Sequence, residues 1–190
     1  GGEVSGCSTG GVVASVGESP VLASLQSGRG VLFGWATFTT NPQPYNVVAD
    51  SLTWLKAPAT APAERFYRAG FQRVQSLVGA RYLPPAAGMN AAGWSNGIVM
   101  VDGGNLAATI SNQVVVANNR VITLANSNRV SVTVAPPTGL VTGNFKHPGL
   151  VPLPVLRGVV IQLPPEAGGA VVGGWFGGTN QTGYLHLRSQ

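Results

Sequence analysis

From Gln113 to Leu124 the chain reads Gln-Val-Val-Val-Ala, then Asn-Asn, then Arg-Val-Ile-Thr-Leu, two β-forming runs held apart by two residues. Asn tolerates the positive φ that a two-residue hairpin turn demands, so this segment reads as an antiparallel hairpin. Asn126-Ser127-Asn128 leads into a third run, Arg129 to Val134, in which Val130, Val132 and Val134 alternate with Ser131 and Thr133. A period of two means one buried face and one wet face. Pro136-Pro137-Thr138-Gly139 then stops the strand.

The same rhythm recurs along the chain. Further strands are expected over Val31–Phe38, Leu52–Leu55, Gly97–Val101, Leu106–Ile110, Leu140–Phe145, Leu156–Leu163, Val171–Phe176 and Gly183–Leu187, each bounded by Gly, Asn or Pro. About ten short strands at this spacing predict an all-β fold, an antiparallel barrel or sandwich. A helix competes only over Ala63–Leu77, where Pro62 and Gly70 favour irregular structure or a single turn. Residues 1–20 read as a flexible leader or a first edge strand, and 21–190 as a single domain with halves of about 21–110 and 111–190. The opening Gly-Gly reads as a processed or excised start of something longer.

Composition narrows the surface. Of 190 residues, 44% are hydrophobic and only 9% charged, against about 25% charged in ordinary domains. Asn, Gln, Ser, Thr and Gly must cover the outside, as in many extracellular β-domains. The net charge of +5 is scattered, with one local concentration at Arg65, Arg68, Arg73 and Arg81 among Phe66, Tyr67, Phe71 and Tyr82. Arg65, Tyr67 and Arg68 are therefore candidate ligand contacts. No lysine stripe or nucleic-acid motif accompanies them, and nucleic acid is not expected as the partner. Cys7 is the single cysteine, which excludes an internal disulfide and leaves a free thiol or an intermolecular link. No run reaches the roughly 18 apolar residues of a membrane helix.

A faint duplication runs through the strands. Gly30-Val-Leu-Phe-Gly34, followed by an aromatic, is echoed by Gly139-Leu-Val-Thr-Gly143, also followed by one. Asp50-Ser51-Leu52-Thr53-Trp54-Leu55 is answered by Arg157-Gly158-Val159-Val160-Ile161-Gln162. Gly30 to Gly139 is 109 positions and Ser51 to Gly158 is 107, so one strand-loop-strand hairpin is used twice.

These residues carry a resemblance. Thr138 to Phe145, Leu156 to Gln162 and Gly173 to Leu187, with Gly30–Phe38, Ser51–Lys56, Arg65–Phe71 and Asp102–Leu106 ahead of them, resemble the carboxy-terminal type of β module in large extracellular repeat and surface proteins of verrucomicrobia, planctomycetes and some proteobacteria. Val141 stands where that pattern prefers an aromatic, and Thr182 where it has Ser. The motifs are glycines and aromatics, which specify fold rather than chemistry. The resemblance implies secretion or surface display, and an adhesive or scaffolding role.

Chemistry-bearing residues are sparse. The two histidines are His147, in a Lys-His-Pro-Gly turn, and His186, alternating with Leu185 and Leu187 as an outward strand residue. The six acids, Glu3, Glu18, Asp50, Glu64, Asp102 and Glu166, show no spacing for a glycosidase pair or a metal cage. No catalytic residue, metal site or cofactor is expected. Asp102-Gly103-Gly104-Asn105 reads as a turn rather than a calcium loop, and Asn180-Gln181-Thr182 matches a glycosylation acceptor. Trp35, Trp54 and Trp175 are expected in the core, and Trp94, among Gly, Ser and Asn, is the exposed candidate for stacking on a sugar.

The expectation is thus a non-enzymatic structural or adhesive module of a secreted or surface protein, self-assembling into a fibre or layer, with neighbouring domains or copies of itself as partners. Alternatives are a glycan-binding module using Trp94 and a particle-forming jelly-roll coat protein.

Overall fold

The computed structural model describes residues 10–40, 45–124 and 127–190, so Glu3, Cys7 and Asn126 lie outside the described residues. The chain is all-β and divides into two compact units, 1–80 and 81–190.

In the first unit β1 (Glu18–Leu25), β2 (Gly30–Phe38), β3 (Val47–Lys56) and β4 (Phe71–Gly79) form an antiparallel meander in chain order. One face carries a small core of Ala36, Ala49 and Leu52, with Val21, Leu32 and Val47 packed against it. Bulges in the β2–β3 and β3–β4 pairings, around residues 34–36 and 50–51, shift the alternation locally. Beyond Lys56 the chain makes a loop, and Phe71 and Tyr67 meet edge-on with ring centroids 5.3 Å apart.

The second unit closes on itself. β5 (Asn96–Gly103), β6 (Ile110–Ala117), β7 (Arg120–Thr123), β8 (Ser131–Ala135), β9 (Leu140–Asn144), β10 (Val155–Ile161), β11 (Val171–Gly177) and β12 (Thr182–Ser189) pair in sequence, and β12 returns to β5. Eight strands leave an interior that side chains just fill. Nineteen buried residues fill it, mostly Val, with Phe145, Phe176, Leu156, Leu185 and Leu187. Alternation does the sorting: Val130, Val132 and Val134 are buried, while Ser131 and Thr133 face water. Asn118 and Asn119 both take positive φ, 49° and 60°, and join β6 to β7 as the sequence requires. Gly158 and Gly174 face each other across β10 and β11, where a Cβ on either would run into the other strand's backbone.

Each barrel mouth has its own plug. At one, Phe145 and Phe176 stack edge-on with centroids 4.8 Å apart. At the other, the segment ahead of β5 lies across the opening: Tyr82 donates to the Pro136 carbonyl at 2.6 Å, and Trp94 Nε1 donates to the Ala170 carbonyl at 2.7 Å.

Among the described residues twelve strands stand where about ten were expected. Of residues 1–20, Glu18 to Pro20 open β1, an outer strand of its sheet. β4 is the unanticipated one: the expected irregular stretch over Ala63–Leu77 holds for the loop and gives way to a strand at Phe71. Leu106 belongs to a turn, its N–H bonded to the Gly103 carbonyl, so the expected Leu106–Ile110 strand begins only at Ile110. The duplicated hairpins exist as β2–β3 and β9–β10. They sit in different units, however, and the boundary falls after Ala80 rather than near 110, because β5 and β6 are partners in one barrel. The meander order also departs from a jelly roll, which needs Greek-key connections.

Candidate ligand-binding surfaces

The arginine-aromatic loop of the first unit is tied up in itself. Arg68 Nη1 donates to the carbonyls of Ala61, Pro62 and Glu64 at 3.3, 3.1 and 3.0 Å. Arg65 lies over its neighbour Phe66, 4.8 Å from the ring centroid. Tyr67 adopts φ 47° and packs on Phe71. Below them Lys56, only 8% exposed, donates to the carbonyls of Ala57 and Tyr67 and lies 4.0 Å from Glu64. Glu64 also pairs with Arg29, whose guanidinium reaches the Pro58 carbonyl. Of the arginines that the sequence offers as ligand contacts, Arg68 is spent on loop carbonyls and Arg65 lies on a ring, while Arg29 and Lys56 hold Glu64; these bonds fix the connection between β3 and β4.

Of the three tryptophans expected in the core, Trp54 is half-buried against Phe71 and the other two are exposed. Trp35 is 63% exposed and Trp175 40% exposed, while their next neighbours along the strand, Ala36 and Phe176, are buried. Adjacent strand residues point to opposite faces, so only one of each pair can be core. Trp94, by contrast, is half-buried against the barrel core. It stands at the side of an open cleft of about 590 Å³ shared with Gln162, Leu163, Pro165 and Ser189. Its indole N–H is already used by Ala170, and a Cβ at Gly97 would strike its ring.

The exposed aromatics are elsewhere. Across β10, β11, β12 and β5 the directly opposed residues are Arg157, Trp175, Tyr184 and Asp102. Tyr184, 51% exposed, donates its hydroxyl to Asp102 Oδ2 at 2.9 Å. The Gly103 N–H, then the hydroxyls of Tyr184 and Thr109, hold the Asp102 carboxyl below its ordinary value, and the Asp102 bond and charge raise the Tyr184 phenol. The row presents two rings flanked by a carboxylate and a guanidinium. Its sequence signal was available in Val-Val-Gly-Gly-Trp-Phe-Gly, where Phe176 inward forces Trp175 outward.

Both histidines have structural partners or settings. His147, 4% exposed, has Nε2 2.9 Å from the Gly104 carbonyl and accepts the Gly149 N–H on Nδ1 at 3.0 Å. That pattern specifies the neutral tautomer with its proton on Nε2. His186 is a half-buried residue of β12 between Leu185 and Leu187. The Asp102–Asn105 segment is a turn, with Gly103, Gly104 and Asn105 all at positive φ. Asn105 Oδ1 accepts the N–H groups of Thr179, Asn180 and Gln181, and its Nδ2 donates to Asn180 Oδ1, so the glycosylation-type asparagine lies in a bonded turn. Among the described residues no three His, Cys, Asp or Glu side chains group as a metal site, and no helix is long and apolar enough to cross a membrane.

Comparison with family models, curated proteins and solved structures gives no match.

Proposed function

We propose that the chain is a structural or adhesive module of a larger secreted or surface protein, acting by association with copies of itself or with neighbouring domains and not by catalysis. The observation that carries this reading is the open sheet of the first unit, whose outer strand β4 is exposed at every position from Gln72 to Val78. Leu22, Phe33, Trp35, Val74 and Val78 add exposed apolar surface on the same sheet. An exposed edge strand is a template for another strand. The low charge, 9% of residues, leaves few repulsive guards against such pairing. Sedimentation velocity across a concentration series is the test: the chain should gain mass reversibly, and a single monomeric species throughout would remove the reading.

A second reading, glycan binding, has one specific observation in its favour, the Trp175–Tyr184 row beside Asp102. It moves the expected contact away from Trp94. Binding to insoluble cell-wall polysaccharide should fall at least several-fold in Trp175→Ala and stay unchanged in Trp35→Ala; equal loss in both, or none, would count against it.

A further inference from the structure

β4 is the place where the two units differ most for the same plan. The duplicated hairpins set β2 against β9 and β3 against β10, and the meander then sets β4 against β11. β11 has a neighbour on each side, β10 and β12, and its core-side residues Val172 and Phe176 are fully buried. β4 is paired with β3, and it ends the four-stranded sheet. Leu77, opposite the buried Ala49 and hence on the core side, remains 44% exposed. Among the described residues the sheet's core cluster holds three buried residues where the barrel's holds nineteen.

The β4 sequence suits a copy of itself. It runs Phe-Gln-Arg-Val-Gln-Ser-Leu-Val-Gly with Gln75 at its midpoint and one charge, Arg73, and it contains no Pro. Antiparallel self-pairing about Gln75 sets Gln75 against Gln75, Val74 against Ser76 and Arg73 against Leu77. No like charges then face each other, and the two central amides can bond to one another. A two-fold axis normal to the sheet at that point keeps both core faces on the same side. The result has eight strands, the number in which β5–β12 close.

We infer that the outer edge of β4 is an interface between two copies of the chain, β4 pairing antiparallel with β4 of the second copy about Gln75 to join two four-stranded sheets into one of eight. The inference rests on the self-association proposed above and names its surface. It requires nothing of β1, whose surroundings stay as they are.

The test is a charge swap on the full chain. Gln75→Lys places two lysines opposite each other at the axis and should shift the monomer–dimer midpoint at least tenfold toward monomer. Gln75→Glu should do the same. An equimolar mixture of the two should recover the dimer, and Ile122→Ser, an exposed position on β7 of the second unit, should leave it intact. Circular dichroism of each variant should match the parent, so that loss of the dimer is not loss of the sheet. Dimers that survive both charge variants would overturn the β4 interface while leaving self-association standing; a parent chain monomeric at every concentration would overturn both. A longer polypeptide that stays monomeric with slow hydrogen exchange in β4 would assign the covering strand to its own chain and overturn the second copy.

Discussion

His186 shows how one side chain links burial to solution behaviour. Burial between strand neighbours, and then the charge of Arg188, hold its pKa below the ordinary imidazole value of 6.5. The folded barrel therefore prefers the neutral ring more than the unfolded chain does. Its contribution to stability is fully present above pH 6.5 and is lost as pH falls through the lower folded value. Thermal unfolding of the second unit should accordingly soften on acidification from pH 6.5, and His186→Gln should flatten that slope. Asp102 acts in a separate window: its lowered carboxyl adds stability above the ordinary value of 3.8 that disappears on further acidification. At this scale the sequence shows residue types more readily than neighbours. The place of His186 in a strand was readable from its flanking leucines, but the burial of His147 depends on the Gly104 carbonyl, 43 residues away.

Among the elements, the β6–β7 hairpin was the most legible, because a two-residue Asn-Asn link between valine runs permits little else. Its second Asn does more than turn the chain. Asn119 Oδ1 accepts the Ala91 N–H at 2.7 Å, its Nδ2 donates to the Met89 carbonyl, and its own N–H donates to Asn90 Oδ1. Asn119→Ala should lose about 1–3 kcal/mol, from the missing bonds and because Ala tolerates the positive φ less well than Asn does, measurable as a lower urea midpoint with the barrel signal retained. β4 was illegible for the opposite reason. Its Arg, Gln and Ser are spread over both faces, and with no buried side there is no alternation to read. The Trp35 and Trp175 positions could have been sorted by the two-residue period, whereas the half-buried place of Trp94 follows from the chain crossing a barrel mouth, which no local pattern encodes.

For the whole molecule, the division after Ala80 predicts unequal stability. Among the described residues, a core cluster of three cannot hold a sheet as firmly as one of nineteen. Amide hydrogen exchange should therefore protect β5, β11 and β12 far more than β1 and β4, and heating should give two transitions rather than one. Coincident loss of both sets of signals would contradict this division. The all-β class and the hairpin duplication were readable because they are local repeats of pattern. The boundary was not, because closure of β12 onto β5 joins residues about eighty to ninety positions apart and leaves no composition change behind.

That closure has a mechanical side. The chain enters β5 and leaves β12 at the same mouth of the barrel, and the two strands are antiparallel neighbours. Tension applied through both ends of the unit would open their hydrogen bonds one at a time, like a zip, instead of shearing them together. The crossing segment stands ahead of that zip: Tyr82 on Pro136, and the reciprocal amide pair of Gln162 with Leu83, take the load before β5 does. A pull on this unit thus meets a latch first and a ladder second.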